Sequence, residues 1–358
     1  MNVNRILSLL ILLFPILIIS QSLDKNKQYQ LACLGFYNLE NLFDTIVDLD
    51  TNKILQEDFT PNSSKQWNTK KYLHKMNNIA EVISQLGVST ASADGAAVLG
   101  VCEIENKAVL KDLVAHPKIK SRNYQIIHHE GPDRRGIDCA LLYNPKYLKN
   151  ISSKSYALKM PNDSSFASRD QLLVTGDFLG ERMHFMVMHW PSRRGGEKRS
   201  RPKRIQAAIL ARAITDSIRK AEKNAKIILM GDLNDDPVSP SVKDFLKAEG
   251  DINELSPNNF FNCMYTKYKK GIGSLAYRDN WNLFDQFIVT PTLLTTSSDY
   301  ASLKYFSSTV YNKSYLKNKE GNFAGYPFRT YVGSTFMGGY SDHFPVYIYL
   351  VREYANEK

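Results

Sequence analysis

Polar residues that can bind metals or transfer protons lie at the ends of strongly apolar runs. Two such blocks constrain the fold and function of this chain most. Segment 226–230 leads into Gly231-Asp232-Leu233-Asn234, and Asp342 and His343 lie just before segment 346–351. Short apolar runs bounded by turn residues are typical of buried strands. Carboxylates, an amide and an imidazole at strand ends can converge on one edge of a sheet. Such a cluster suits metal-assisted phosphate chemistry.

Strand-like runs recur along the whole chain and outnumber helical patterns. They are 31–37, 97–104, 124–128, 138–143, 172–178, 183–188, 227–230, 287–289 and 346–351. Apolar residues at spacings of three and four predict two helices, 70–86 and 204–223. Because many strands follow one another directly, we expect mixed sheets packed on each other, with helices outside. The chain shows neither a repeat nor a linker, so one domain is expected.

The first 22 residues have the pattern of a secretory signal peptide. Arg5 precedes a nearly unbroken apolar run, 6–19, which ends at Ser20-Gln21-Ser22. The run is short for a membrane span of about 20 residues. We therefore expect cleavage and export to the periplasm or the medium, with residues 23–358 as a single catalytic domain that has no membrane span. An uncleaved membrane anchor is the alternative.

The cysteines do not indicate a disulfide framework or a zinc site. They are Cys33, Cys102, Cys139 and Cys263, and three of them lie in apolar strand-like runs. We expect small core residues at these positions. A bridge between Cys102 and Cys139 stays open if their strands are neighbours.

The formal net charge of +10 favours an anionic partner or substrate. Seven of the fourteen residues in segment 191–204 are Lys or Arg, and the segment directly follows the candidate site residue His189. Contact with phosphate is one interpretation of this segment, and a solvated basic loop is the other.

Each candidate site residue has a structural alternative when it is taken alone. Asp232 can form a turn with its Gly, Asn and Pro neighbours, and His343 can cap a turn. His189 can be a hydrogen-bonded core histidine. Glu103 and Asp138 interrupt apolar runs, and a half-buried carboxylate needs a partner such as a metal ion or an arginine. Together, these groups would destabilise core strands unless they neutralise one another or hold a cation.

Seven motifs follow one another in an order that resembles a known superfamily. They are Asn38 in Phe36-Tyr37-Asn38-Leu39-Glu40-Asn41, Glu103 in Val101-Cys102-Glu103-Ile104-Glu105-Asn106, Asp138 in Arg135-Gly136-Ile137-Asp138, His189-Trp190-Pro191-Ser192-Arg193, Gly231-Asp232-Leu233-Asn234, Asp285, and Ser341-Asp342-His343. The set resembles the endonuclease/exonuclease/phosphatase superfamily, which includes deoxyribonuclease I, apurinic endonucleases, bacterial sphingomyelinases and inositol polyphosphate phosphatases. The resemblance covers about residues 31–351 and departs from the family at Cys102, commonly Gln, and at the extra acid Glu105. It implies a deoxyribonuclease I-like α/β fold, a four-layer sandwich of two packed mixed β-sheets flanked by helices.

The resemblance also implies a metal site. Glu103 resembles the main Mg²⁺ ligand, and Asn38 and Asp342 complete the surroundings of the ion directly or through water. Hard oxygen donors in an incomplete shell suit Mg²⁺, which keeps several waters and shares phosphate oxygens with the substrate. Mn²⁺ is a substitute ion, and a role for Ca²⁺ stays open.

The remaining motif residues resemble the catalytic groups of the superfamily. Asp232 would orient or deprotonate the attacking water, and Asn234 would hold a phosphate oxygen. The resemblance implies two phosphate-contacting imidazoles, each paired with a carboxylate: His343 with Asp285, and His189 with Asp138. Ser192 and Arg193 would contact the substrate. The reaction implied is in-line hydrolysis of a phosphate ester by water, with no covalent enzyme intermediate.

The substrate cannot be chosen by fold analogy, because the superfamily shares one chemistry across many esters. The positive charge, the basic segment and the many aromatic residues favour an exported nuclease acting on DNA or RNA. We expect a monomer without an obligate protein partner. The alternative is a phosphodiesterase or phosphatase of phospholipid head groups or small phosphorylated molecules. A third hypothesis is a non-catalytic binding protein that has kept the fold.

Overall fold

The structure, a computed structural model, describes residues 23–354 except 25, 48, 51–52, 55, 90–91 and 296–298. The predicted signal peptide, 1–22, lies outside the described residues. Within the described part of the chain, no helix combines the length and the apolar character that a membrane crossing requires.

Strands dominate the secondary structure, as the sequence predicts. They are β1 (Tyr29–Leu42), β2 (Ala96–Ile104), β3 (Gln125–His128), β4 (Asp138–Tyr143), β5 (Leu148–Tyr156), β6 (Gln171–Phe178), β7 (Glu181–His189), β8 (Lys226–Asp232), β9 (Ala248–Glu249), β10 (Phe260–Asn262), β11 (Leu275–Tyr277), β12 (Asn280–Asn282), β13 (Asp285–Val289), β14 (Lys304–Val310), β15 (Tyr331–Val332), β16 (Thr335–Phe336) and β17 (Val346–Glu353). The α-helices are α1 (Thr69–Gln85), α2 (Lys107–Ala115), α3 (Glu197–Ala221) and α4 (Tyr265–Lys269).

Two large mixed sheets pack face to face. One has six strands in the order β14-β17-β1-β2-β4-β3, and the other has seven in the order β5-β6-β7-β8-β13-β10-β9. The central pairs β1–β2 and β7–β8 are parallel, and α1 and α3 make their crossover connections. Neighbouring pairs such as β1–β17 and β8–β13 are antiparallel. The expected architecture of two packed mixed sheets with helices outside is therefore confirmed.

Alternation along the central strands decides which residues face the other sheet. In β8, Ile228 and Met230 belong to the core between the sheets, whereas Ile227 and Leu229 belong to the cluster beneath α3. Side chains alternate with a period of two along a strand. The next inward-facing position of β8 is therefore Asp232, so the pattern that builds the core also delivers a carboxylate to its edge.

Helix α3 begins earlier than its apolar pattern predicts. The pattern starts at Arg204, but the helix begins at Glu197 and contains Pro202. Glu197 explains the extra turns, because its carboxylate forms ion pairs with Arg201 at 2.8 Å and with Arg204 at 3.3 Å. These contacts offset the backbone hydrogen bond that Pro202 cannot donate.

All four cysteines are buried free thiols. Cys102 and Cys139 are direct cross-strand partners in β2 and β4, so their strands are neighbours, but no bridge joins them. The expectation of small core residues is correct for these positions.

Gly231, beside the polar edge, stands where a side chain has no room. A Cβ at this position would lie 2.2 Å from the carbonyl oxygen of Met188, on the parallel neighbour β7. At Gly100 the nearest atom is the Met230 sulfur at 2.7 Å, which belongs to a flexible side chain. Backbone cannot move away as easily as a methionine side chain.

We therefore predict that Gly231→Ala destabilises the protein by about 1–3 kcal/mol, because β7 and β8 must separate. Gly100→Ala, the matched control, should cost less. The free energies of unfolding in urea measure both. A Gly231→Ala variant as stable as wild type would show that the two strands are not held this closely.

Candidate active site

Three adjacent strands of the seven-stranded sheet place His189, Asp232 and Asp285 at one level. His189 pairs with Asp232 across β7–β8, and Asp232 pairs with Asp285 across β8–β13. Because β13 is antiparallel, its first residue lies beside the last residues of the other two strands. All three side chains are buried. This register explains why residues distant in sequence share one site.

The six-stranded sheet contributes the opposite side of the site. Asn38 lies in β1, Glu103 lies near the end of β2, and His343 lies in the segment before β17. Asn38 Nδ2 donates a hydrogen bond to Asp232 Oδ2 at 3.1 Å, which joins the two sheets. The Ser341 hydroxyl donates to the carbonyl oxygen of Asn38 at 2.7 Å and so attaches the His343 segment to β1.

The ionisable groups form a row across this edge. Glu103 Oε1 lies 3.7 Å from His189 Nε2, and His189 Nε2 lies 3.5 Å from Asp232 Oδ2. Asp232 Oδ2 lies 3.9 Å from His343 Nε2. Glu103, His189, Asp232 and His343 therefore converge, as the motif order implies.

The pairing of His343 with Asp285 is as predicted. The Nδ1 atom of His343 donates to Asp285 Oδ2 at 2.7 Å, and the Ser274 hydroxyl donates to the same oxygen. Burial opposes the charged imidazole, but Asp285, Asp232 and Asp342 outweigh it and raise the pKa of His343 well above its usual 6.5. His343 is therefore a cation at neutral pH.

Burial shifts the pKa values of Asp232 and His189 in opposite directions, because it disfavours the charged form of each group. Burial, with a contribution from Asp285, raises the pKa of Asp232 to about 7, although His343 opposes the shift. Burial, assisted by Arg169, Arg135 and His343, lowers the pKa of His189 well below its usual value. The site thus contains one cationic imidazole, one neutral imidazole and a carboxyl that can exchange a proton near neutral pH.

Several site residues adopt a left-handed backbone conformation that is rare outside glycine. Their φ angles are 49° at Glu40, 53° at Asn41, 60° at Glu103 and 50° at Asn234. Such conformations cost of order 1 kcal/mol and persist where surrounding contacts enforce them. At Asn234 the backbone N–H donates to Asp232 Oδ1 at 2.9 Å, and the side chain donates to the Trp190 carbonyl at 3.0 Å. The carboxylate and the amide are fixed together.

The donor set fits a hard divalent cation. Glu103, Asp342 and Asn38 carry oxygen donors, and their assignment as ligands stays a prediction. Glu103 Oε1 accepts no hydrogen bond from any described residue, whereas its Oε2 accepts one from the Asn41 backbone N–H at 3.0 Å. Asn41, next to Glu103, adds a buried Oδ1 atom for which no described residue is a hydrogen-bond partner. Oxygen ligands with one uncompensated buried acceptor are what Mg²⁺ or Mn²⁺ would complete.

A second cluster of His128, Glu130 and Asp138 offers ligand atoms within 4.8 Å of one another. Hydrogen bonds within the protein already explain why these side chains lie together, because His128 Nε2 hydrogen-bonds Asp138 Oδ2 at 3.1 Å. Asp138 Oδ1 also accepts the Gly131 backbone N–H at 3.0 Å.

The predicted pairing of Asp138 with His189 is therefore wrong. Asp138 is the first residue of β4, and its carboxylate hydrogen-bonds His128 on the neighbouring strand β3. His189 belongs to the other sheet. The Nδ1 atom of His189 has no hydrogen-bond partner among the described residues. Asp138 orients a different imidazole from the one that the resemblance implies.

Arg193 makes contacts within the protein, and its predicted substrate contact stays a prediction. Its guanidinium lies 3.1 Å from Asp235 and 3.2 Å from Asp236, and Nε donates to the Asn234 carbonyl at 2.9 Å. The side chain braces the loop that carries Asn234. Ser192 is exposed and stays a predicted contact.

Lys75, a buried lysine that lies close to Glu40 beside the site, was not identified from the sequence. Its side chain is fully buried on α1, and Nζ donates to the Thr330 hydroxyl at 2.6 Å and lies 3.9 Å from Glu40 Oε2. Glu40 Oε2 accepts the Thr330 backbone N–H at 2.7 Å. Burial raises the pKa of Glu40 to about 7, and Asp342 acts in the same direction while Lys75 opposes it. A lysine inside an apolar helical stripe, three residues after Tyr72, was the available signal.

We predict that Asp285→Asn lowers the pKa of His343, because burial is then opposed by fewer negative charges. The wild-type pair stabilises the fold at low pH, and this contribution disappears as pH rises through the raised pKa of His343. The variant should thus lose more stability at about pH 6 than at about pH 9. NMR titration of the imidazole and urea unfolding at both pH values test this, and an unchanged His343 titration would contradict it.

We predict that Lys75→Met costs about 3–5 kcal/mol, since it leaves the Glu40 carboxylate buried without its cation. Adding Glu40→Gln to Lys75→Met should recover much of the loss. Lys70→Met, at an exposed position of the same helix, is the control. Chemical unfolding of the four proteins decides the matter, and equal losses for Lys70→Met and Lys75→Met would refute the support role.

Solved structures with the same architecture include an endonuclease/exonuclease/phosphatase family protein from Bacteroides thetaiotaomicron. It is 17% identical, with a TM-score of 0.53 over 90% of this chain and 98% of that chain. A humanised D. rerio TDP2 with 14 mutations is 13% identical, with a TM-score of 0.52 over 90% of this chain and 99% of that one. A mannosyl-6-phosphatase from B. thetaiotaomicron has 16% identity and a TM-score of 0.49 over 89% and 99% of the two chains.

No curated protein matches the sequence significantly. A model of a protein family does match, over nearly the whole described chain. Members of that family hydrolyse phosphoester bonds and generally use divalent metal ions. The model of the Endonuclease/Exonuclease/phosphatase family matches residues 33–352, and the chain belongs to this family.

Proposed function

We propose that this protein is a divalent-metal-dependent phosphodiesterase that cleaves nucleic acid by direct attack of water. The observation that carries the proposal is the row from Glu103 through His189 and Asp232 to His343, with Asp285 behind His343. It sets a proton acceptor, a cation and an oxygen ligand around one small space.

The roles follow from charge and protonation. Asp232 accepts a proton from the water whose oxygen forms the new bond to phosphorus. The bond from phosphorus to the leaving oxygen breaks, and that oxygen takes a proton from solvent. Cationic His343 and the Asn234 side chain stabilise the negative charge that accumulates on the phosphate oxygens. His189, held neutral by its burial, donates a hydrogen bond to the phosphate without adding a charge.

Glu103, Asn38 and Asp342 would hold the cation, with Asn41 as a further oxygen donor. When bound, Mg²⁺ or Mn²⁺ supplies Lewis-acid polarisation of the phosphate and offsets the excess of carboxylates. The requirement is testable through EDTA inhibition and recovery with added metal.

Exposed positive charge beside the site supports a nucleic acid substrate. Within the basic segment 191–204, Arg193, Arg201 and Arg204 are engaged in internal ion pairs. The other four cations are exposed and form no ion pair with a described carboxylate: Arg194, Lys198, Arg199 and Lys203. Arg193 and Arg204 of the same segment pair with Asp235, which directly follows Asn234, so the segment that carries these cations adjoins the site. Phosphate neutralisation by such cations gives steep salt dependence.

A compact phosphorylated molecule is the second candidate, and a small pocket favours it. The pocket has a volume of about 190 Å³ and opens beside Asp342 and Asn41, with Lys65 and Arg329 in its wall. Arg329 donates to Asp342 Oδ2 at 2.7 Å and is partly exposed. Two cations next to the metal ligands could recognise a second anionic group of a small substrate.

Export is part of the proposal and rests on the sequence of residues 1–22. The mass of the protein recovered from the periplasm or the medium after expression with its own N-terminus tests the cleavage.

We predict that Asp232→Asn and His343→Ala each lower kcat at least about 1000-fold while the protein stays folded, since they remove the proton acceptor and the cation. His128→Ala, which alters an imidazole outside the row, should retain most of the activity. Steady-state hydrolysis and circular dichroism measure both effects. Near-wild-type turnover in either row variant would overturn the assignment.

We predict hydrolysis of DNA or RNA in a panel of duplex DNA, single strands, RNA, sphingomyelin and inositol phosphates. Activity on nucleic acid should fall steeply with salt, and the triple change Arg194→Gln, Lys198→Gln and Arg199→Gln should reduce that dependence. Preference for a small phosphate ester, with indifference to salt, would favour the second candidate. Intact anion binding without any hydrolysis in the presence of metal would favour a binding protein.

A further inference from the structure

We propose that Arg135 is a further catalytic residue, whose guanidinium binds an oxygen of the reacting phosphate on the Glu103 side of the site. The inference rests on the proposed function and adds a substrate contact to it. Arg135 lies in the loop between β3 and β4.

The position of Arg135 extends the row of ionisable groups at its open end. Nη1 lies 4.0 Å from Glu103 Oε1, the oxygen that lies 3.7 Å from His189 Nε2. The side chain is 30% exposed, so part of it faces solvent beside the row. A phosphate between Glu103, His189 and Asp232 would therefore come within reach of this guanidinium.

Asp133 fixes the guanidinium from behind. Asp133 Oδ1 accepts the Arg135 backbone N–H at 3.0 Å and lies 3.5 Å from Arg135 Nε. Asp133 Oδ2 accepts a hydrogen bond from Arg169 Nη1 at 3.2 Å, and Arg169 Nη2 donates to the Trp190 carbonyl at 2.6 Å. Since Asp133 occupies the Nε edge, the two terminal nitrogens of Arg135 remain for another partner.

The Nη2 atom of Arg135 is buried and has no hydrogen-bond partner in the described part of the chain. A buried N–H without an acceptor costs about 1–3 kcal/mol, so a protein seldom keeps one without a use. Arg169 nearby adds repulsion between two cations. Both arginines pair with the single carboxylate of Asp133, which offsets only one of their two charges. A phosphate oxygen would satisfy the donor and relieve the repulsion.

A guanidinium suits this task because its planar donors match phosphate oxygens in pairs. His343 and Asn234 contact the phosphate from the Asp232 end of the row, and Arg135 would contact it from the Glu103 end. Charge on the non-bridging oxygens increases as water adds to phosphorus. Donors at both ends then stabilise that charge without moving, which is where preorganised contacts have their largest effect.

Arg134 provides a matched control one residue away. It has the same charge, it is exposed, and its Nη2 atom donates to the Ser165 carbonyl at 3.4 Å. Arg134→Ala therefore changes the net charge of the loop as Arg135→Ala does, without removing a group from the row.

The first experiment measures hydrolysis by Arg135→Ala, Arg135→Lys and Arg134→Ala with saturating metal. We expect kcat to fall about 100-fold for Arg135→Ala, less for Arg135→Lys, and within about threefold of wild type for Arg134→Ala. Added guanidinium at millimolar concentration should restore part of the activity of Arg135→Ala alone. If Arg135→Ala melts at a lower temperature, Arg135→Lys carries the test. An active Arg135→Ala, or a loss that guanidinium does not rescue in a folded variant, would refute the proposal.

The second experiment needs no turnover and so separates this inference from the proposed function. Calorimetric titration with orthovanadate, a phosphate analogue, should show weaker binding to Arg135→Ala than to wild type and Arg134→Ala. Wild type that binds vanadate through Arg135 but hydrolyses no ester would support the contact and defeat the proposed function. Hydrolysis by wild type together with equal vanadate affinity in all three proteins would defeat the Arg135 contact alone.

Discussion

The hydrogen bond from Asn38 to Asp232 joins the two sheets at the edge where the central parallel strands of both sheets end. Asp232 faces the interior because the alternation of β8 places it in line with Ile228 and Met230. A carboxyl group in that position needs polar partners on the facing sheet, because its side chain is almost fully buried. The contact therefore ties the two strand ends together at the place where the row of ionisable groups lies.

Charge compensation around this contact explains much of the remaining polar structure. Asp285 holds His343 as a cation, and His343 offsets Asp232. Lys75 compensates Glu40 from beneath the same edge. Even with these pairs, the row and its neighbours contain more carboxylates than cations. An excess of carboxylates favours the binding of a divalent ion. The family membership of the chain and the physical state of the site thus point to the same chemistry.

The sequence predicted most of the central strands because those strands are buried on both faces and read as continuous apolar runs. It missed β5, whose pattern in Leu148–Tyr156 is largely exposed and polar, and α2, which is only nine residues long. The site residues at strand ends were predictable for the same reason that the strands were. Asp138 was assigned to the wrong histidine because a pairing between side chains depends on which sheet each strand joins. Arg135 and Lys75 escaped notice because their partners, Glu103 and Glu40, are distant in sequence.

The carbonyl oxygen of Trp190 accepts hydrogen bonds from both Arg169 and Asn234. Through Arg169 and Asp133 it is connected to the loop before β4, and through Asn234 to the loop after β8. One peptide group thereby couples two loops that belong to different sheets. Residues in such a shared network do not behave independently. Substitutions at Asp133 and Asn234 should therefore combine non-additively in double-mutant cycles, and engineering the specificity of one loop would retune the other.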